Sequence, residues 1–200
     1  MPAKTIVLAS ANPGKLRELA ALLAPLGWRL VPQGERGIEP AAETGTSFLE
    51  NALLKARHAA HRGGLPALAD DSGLEVDALG GRPGVWSARY AGEHAADRQN
   101  LEKLLAELRG VTPERRTARY RCIIAYVRSA ADPHPLLAQG SWEGTIATAA
   151  RGSGGFGYDP IFVPRGDSRT AAELAPAEKD AVSHRAQALA CLVGRLRDDA

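Results

Sequence analysis

Two hundred residues, 44% of them apolar, suffice for one domain or for two lobes sharing a core, without disulfide or metal staples. The net charge of +2, with acids and bases intermixed, offers no polybasic arm and excludes nucleic-acid binding through bulk charge. No stretch approaches the ~20 apolar residues of a membrane span, and the N-terminal apolar run is too short for a signal peptide, so a soluble cytoplasmic protein with no membrane partner is expected. Thr5 to Ser10 is β-branched and apolar and reads as a buried strand. A short loop, Ala11 to Gly14, leads to Leu16, Leu19, Leu22, Leu23 and Leu26 at helical spacing, and Gly27 ends that helix. Trp28 to Val31 is a second strand, and Gly34 to Gly45 is polar and loop-like. Thr46 or Ser47 caps a helix running to about Arg62, with Glu50 near the capping-box position, and Gly63 and Gly64 stop it.

Leu65 to Ala69 reads as a strand ending in Asp70 and Asp71, and Glu75 to Leu79 as a separate one before the turn Gly80 to Gly84. Ala95 to Leu108 is an amphipathic helix. Thr117 to Val127 alternates as a long strand, Leu136 to Ala147 supplies its partner, and Ile161 to Val163 is a short strand bracketed by prolines. Val182 to Leu196 is the last helix, with Ser183 as a candidate N-cap. A β-α-β-α-β start, a β-rich middle and a helical end predict an α/β fold with a mixed sheet. Cys122 and Cys191 lie far apart in apolar contexts and read as buried free thiols, and no Cys/His spacing suits a metal.

Chemistry gathers at a few places. In "SANPGKLRE" a helix begins, and its free N–H groups and dipole attract anions. Ser10 and Asn12 add small polar groups there, Pro13 and Gly14 keep the loop tight, and Lys15 adds a mobile cation. This is no Walker A loop, since the first glycine is missing and Leu16 replaces the Ser/Thr. Asp70 and Asp71 point to opposite sides of an extended chain, so one can meet a ligand while the other braces the loop. Acids at a strand end suit Mg²⁺, which takes one or two carboxylates plus water and phosphate oxygens. Glu43 matters only if it meets Asp71 in space. Asn51 and Lys55, four residues apart, share one helix face, with Leu49, Leu53 and Ala56 assigned to the opposite, buried side. Lys179, Ser183, His184 and Arg185 crowd cations near a helix start, which points to an anion or polar ligand. Each feature also has a bland reading: a capped helix with a solvated lysine, an Asp-rich turn, a surface acid, a polar stripe.

"GSGGFGYDP" fits G-x-G-x-x-G through Gly152, Gly154 and Gly157, but a dinucleotide turn needs a helix opening from it. Pro160 and Pro164 forbid an uninterrupted helix, and no βαβ unit follows. Phe156 can instead lie against a planar base while Asp159 or loop backbone groups bond to the base edge. The glycines then serve close approach and loop motion.

Together these residues resemble the non-canonical purine nucleoside triphosphate pyrophosphatases, the inosine/xanthosine triphosphatases. Five blocks carry the resemblance in order from residue 8 to residue 189: "LASANPGKLREL", "ETGTSFLENALLKA", "ADDSGLEVDALGGRPGVWSARYAG", "GSGGFGYDPIFVP" and "AAELAPAEKDAVSHRAQAL". Asp180 departs from the Asn more often met after the Glu-Lys pair. The resemblance implies a single domain over 1–200, an elongated two-lobed α/β fold with a long mixed sheet and a cleft between lobes. It also implies a homodimer, Mg²⁺ dependence, and hydrolysis of ITP, dITP and XTP to the monophosphate and pyrophosphate. By matching motif, Ser10, Ala11, Asn12, Pro13, Gly14 and Lys15, with Lys55, resemble the triphosphate grip. Asp71 resembles the catalytic acid, Glu43 with Asp71 the metal site, and Ser72 a substrate contact. Phe156, Gly157, Tyr158 and Asp159 resemble the base-side loop, completed by Lys179, His184 and Arg185. Two rival readings are a pyrophosphatase for modified pyrimidine nucleotides and a non-catalytic nucleotide-binding module.

Overall fold

The computed structural model describes residues 4–10, 12–24 and 27–198. Six strands, β1 (Lys4–Leu8), β2 (Trp28–Pro32), β3 (Ala67–Val76), β4 (Thr117–Val127), β5 (Leu136–Ile146) and β6 (Phe162–Pro164), form one sheet of order β2-β1-β3-β4-β5-β6. β1 runs parallel to both β2 and β3, while β5 and β6 are antiparallel, so the sheet is mixed. Helices α1 (Pro13–Leu23), α2 (Phe48–Gly63), α3 (Asp97–Glu107), α4 (Pro176–Val182) and α5 (His184–Asp198) complete an α/β fold. No helix of the described residues is long and apolar enough to cross a membrane.

The chain divides into two compact units. The first comprises Met1–Asp71, Cys122–Gly140 and Arg185–Ala200; the second comprises Ser72–Arg121 and Ser141–His184. In the first unit, strand alternation sorts the core into two layers. Val7, Ala67, Ala69, Ala125 and Val127 face one way and pack on Ala52, Ala56, Ala59 and Ala60 of α2. Ile6, Leu8, Leu68, Ile124 and Tyr126 face the other way, against Leu19 and Leu23 of α1 and Ala188, Leu189 and Leu192 of α5. Small alanines let α2 lie close to the sheet, and the larger side chains fill the opposite layer. In the second unit, Leu74, Val76, Tyr120, Trp142 and Phe162 join Leu101 and Leu104 of α3 in a single core.

The structure corrects three sequence-based expectations. Asp70 and Asp71 do not end a strand: β3 runs unbroken through them to Val76, so no separate strand spans Glu75 to Leu79. The Asp-Ser-Gly signal for a turn yields to strand pairing, since β3 lies between β1 and β4 in the sheet. The helix expected from Val182 starts at His184: Val182 ends a separate helix, α4, and Ser183 stands extended between the two at φ −63° and ψ 158°. On α2, Leu49 is exposed and Asn51 is buried, so the helix is rotated from the face assigned by apolar spacing. Ser47 caps α2, its Oγ accepting the Glu50 N–H at 3.2 Å, while the Glu50 carboxylate turns back to Thr46.

Candidate active site

In the first unit, Asp70 and Asp71 leave β3 on opposite sides, as successive strand residues must. The Asp70 side chain is 0% exposed and meets two cations, Lys15 Nζ at 2.9 Å and Arg185 Nε at 3.4 Å. Burial opposes its charge, but Lys15, Arg185 and Lys55 outweigh burial and hold the carboxyl well below the ordinary carboxylate range. The same burial, with the nearby Asp70 charge, pushes the Cys122 thiol up to about 12, which makes it an inert core group.

Lys15 reaches Asp70 from the first turn of α1. Asn12 caps that helix, its Oδ1 accepting the N–H groups of Gly14 at 2.8 Å and Lys15 at 3.2 Å, with Pro13 in the first turn. Ser10 Oγ accepts the Asn12 N–H at 3.2 Å. The mobile cation expected at Lys15 is therefore a fixed one. Ala11 lies outside the described residues.

Asp71 faces α2. Its Oδ1 accepts from Lys55 Nζ at 2.7 Å and its Oδ2 from Asn51 Nδ2 at 3.4 Å. Lys55 Nζ also donates to Glu43 Oε1 at 2.9 Å, so one ammonium bridges two carboxylates. Asn51 Oδ1 takes the Gly45 N–H at 2.8 Å and ties the loop bearing Glu43 to the same helix. A Cβ at Gly45 would stand 2.6 Å from Asn51 Oδ1, which is why that loop carries glycine. Burial pushes the Asp71 carboxyl up, Lys55 offsets part of this, and the like charge of Glu43 adds to it. Lys55 is itself pulled down by burial but pushed up more by Asp71, Asp70 and Glu43. The Asp70 group thus sets two cations against one anion, and the Asp71 group two anions against one cation. Among the described residues, no set of three or more His, Cys, Asp or Glu side chains is placed to hold a metal ion.

In the second unit, which Ser72 opens, the glycine loop surrounds Asp159. This carboxylate is buried and accepts from Phe156 N at 2.9 Å, Tyr120 Oη at 3.2 Å and Lys179 Nζ at 2.7 Å. The Lys179 ammonium also lies 4.8 Å from the centre of the Phe156 ring, within cation–π range. Tyr158 is buried in the core and donates its hydroxyl to the Ser87 carbonyl at 2.9 Å. The side chains of Tyr158 and Asp159 therefore face inward and support the loop, which leaves the loop backbone groups, the other alternative, for a base edge. Phe156 and Gly157 remain half-buried. The glycines serve close approach, but to the protein itself: a Cβ at Gly152 or Gly154 would meet the Ala172 backbone, and one at Gly155 would overlap the Asp159 carboxylate.

A family model described as the Ham1 family matches residues 6–195. The chain belongs to the Ham1 family. Among its Ham1 relatives, the dITP/XTP pyrophosphatase of Methylococcus capsulatus is 59% identical, over 97% of this chain and 96% of that protein. The dITP/XTP pyrophosphatase of Salmonella paratyphi A is 57% identical, over 96% of this chain and 98% of that protein. The solved structure of a HAM1 protein from Coxiella burnetii is 50% identical and superposes with a TM-score of 0.90, covering 98% of this chain and 99% of that one.

Two residues of this Ham1 chain escaped sequence reasoning. By its spacing Asn51 shares a polar helix face with Lys55, opposite the buried side, yet it is buried and fixes both Asp71 and the Glu43 loop. Tyr120 reads as an ordinary strand aromatic. Its ring stacks on His184 at 4.7 Å and 9°, and its hydroxyl holds Asp159. Burial, with the Asp159 charge beside it, pushes that phenol well up, so it stays a donor at any working pH. No local signal marks either residue, because each acts through partners 6 to 64 positions away.

Proposed function

We propose that this Ham1 chain hydrolyses ITP, dITP and XTP to the monophosphate and pyrophosphate, and so clears deaminated purines from the nucleotide pool. The observation that carries the reading is the 59% identity, over nearly the full chain, to a protein named dITP/XTP pyrophosphatase. The charges of the first unit support the chemistry. Lys15 sits in the first turn of α1 beside Asp70, a cation at a helix start, which suits a polyphosphate anion. Glu43 and Asp71 outnumber Lys55, which suits a divalent cation.

Mg²⁺ is the metal of this proposal. The fit rests on Lys55, since the two carboxylates already converge on one cation with oxygen donors only. One or two carboxylates are what Mg²⁺ takes from a protein when water and phosphate supply its other oxygens, and two are present. When bound, the metal would neutralise polyphosphate charge. The protein's share is position and proton handling. Lys15 and Lys55 hold the triphosphate, and Ser72 contacts the substrate. Asp71, its carboxyl raised by burial, takes a proton from water. The water oxygen becomes bonded to phosphorus, the bond between the α-phosphorus and the bridging oxygen breaks, and pyrophosphate leaves.

The base-side role falls to Phe156 and Gly157, braced by Tyr158, Asp159 and Lys179, with His184 and Arg185 as donors. Hypoxanthine and xanthine carry a 6-oxo group where adenine carries an amino group, so N–H donors favour the oxo form and leave adenine mispaired. The same proposal treats residues 1–200 as one working domain and the protein as a homodimer, for which light scattering should give about twice the 21.1 kDa chain mass. The test is a panel of ITP, dITP, XTP, dUTP, ATP and GTP with and without Mg²⁺, reading pyrophosphate against orthophosphate. Pyrophosphate from ITP and XTP only with metal is expected. Preference for dUTP would favour the pyrimidine reading, no turnover the binding-module reading, and orthophosphate as the direct product would overturn α–β cleavage.

A further inference from the structure

We propose that Asp97, the first residue of α3, is a latch for the glycine loop and thereby a positioning residue for the base; the role in catalysis rests on the functional reading above. Its Oδ2 accepts the Gly157 N–H at 2.7 Å, across 60 residues of sequence. Gly157 is at φ +62°, the left-handed region, and follows Phe156 directly. The backbone N–H groups that hold the loop include Gly154 to the Ala172 carbonyl at 3.0 Å, Phe156 to Asp159 at 2.9 Å, and Gly157 to Asp97. The first two lie inside the loop's own neighbourhood. Asp97 ties it by a hydrogen bond to α3, beside the packing of Tyr158 in the core that Leu101 and Leu104 share. A charged acceptor makes that bond stronger than a neutral one. Without it, the Phe156–Gly157 peptide loses the partner of its N–H while its carbonyl still accepts the Asp159 N–H at 3.2 Å, and the Phe156 ring loses one of the restraints that set its plane beside Lys179.

An alternative duty for Asp97 is ordinary, since an acid in the first turn of a helix favours the dipole. Gln99 separates the two. It belongs to the same turn and accepts the Ala96 N–H at 2.8 Å, but makes no bond to the loop. The experiment compares the full-length protein with Asp97→Ala, Asp97→Asn and Gln99→Ala, measuring kcat and KM for ITP, inhibition by tripolyphosphate, and melting temperature. Asp97→Ala is expected to raise KM about tenfold with kcat within about twofold, the scale of one lost charge-assisted bond. Tripolyphosphate, which has no base, should inhibit parent and variant alike. Asp97→Asn, which keeps an acceptor oxygen, should recover most of the loss, and Gln99→Ala should lower melting temperature while leaving KM alone. An unchanged KM in Asp97→Ala, or an equal rise in Gln99→Ala, overturns the latch. Should Asp97→Ala fail to fold, Asp97→Ser keeps a polar helix start but ends one bond short of Gly157, and carries the same expectations. Amide hydrogen exchange at residue 157 tests the latch without turnover: slow in the parent and in Asp97→Asn, faster in Asp97→Ala. No change there overturns it even in a chain that hydrolyses ITP, whereas a parent that releases no pyrophosphate overturns the functional reading and leaves the exchange result to stand by itself.

Discussion

The two sides of β3 in the first unit hold the same kind of pair, an aspartate on a lysine, and differ in what surrounds it. Asp70 is sealed in with Lys15 and Arg185, and its charge is stabilised. Asp71 shares Lys55 with Glu43, and its charge is disfavoured by burial. Adjacent residues of one strand thus have carboxyls pushed in opposite directions. An acid that outnumbering cations hold ionised is a structural counter-ion. An acid whose charge is disfavoured and shared with a second carboxylate is suited to gain a metal and a proton.

The largest expected break of this contrast is Asp71→Asn. Pyrophosphate release from ITP should fall about a thousandfold or more, the upper range of general acid–base contributions. Melting temperature should hold or rise, because a disfavoured buried charge is removed. Asp70→Asn should do the reverse, removing a buried counter-ion from beside Lys15 and Arg185. Chemical denaturation should register a loss of about 3–5 kcal/mol, the scale for one-sided removal of a buried pair.

Acid unfolding of the metal-free protein sharpens the same contrast. The folded Asp70 carboxyl is held down, so its stabilisation is present above the ordinary carboxylate value near 3.8 and is lost as pH falls toward the folded value. The folded Asp71 carboxyl is raised, so it opposes folding at neutral pH and that penalty fades as pH falls through its folded value. Asp70→Asn should therefore flatten the acid loss of stability, and Asp71→Asn should steepen it. Parallel curves for the two variants would erase the distinction. The smallest effect belongs to Ser47→Ala, which removes the cap of α2 while leaving Asn51 and Lys55 in place; about 1 kcal/mol of stability should go, with ITP turnover kept.

Much of this was legible in the sequence because it is local. Alternation gave β4 its full span, Thr117 to Val127, and Thr46 or Ser47 before an apolar helix marked the α2 cap, which is Ser47. The opposite aim of Asp70 and Asp71 followed from strand geometry alone. What escaped was set by distant partners. Leu49 lies outside and Asn51 inside because Asn51 is needed between Gly45 and Asp71, a demand that helical periodicity does not register. Lys15 read as mobile because its counter-ion lies 55 residues on. Ser183, the candidate N-cap, does stand extended just before α5, but the short helix α4 ahead of it has too few apolar residues to show a helical period.

The central claim is that the two sides of β3 divide the substrate by charge, polyphosphate toward Lys15 and metal toward Glu43 and Asp71. The measurement that tests it most directly is the Mg²⁺ concentration for half-maximal pyrophosphate release from ITP, taken alongside the KM for ITP in the parent, Glu43→Gln and Lys15→Met. Glu43→Gln should raise the Mg²⁺ requirement about tenfold or more, as expected when one of two protein carboxylates is lost. Lys15→Met should leave that requirement unchanged and raise the KM for ITP instead. A Glu43→Gln variant with the parent's Mg²⁺ requirement, or a Lys15→Met variant that shifts it as strongly, would contradict the division.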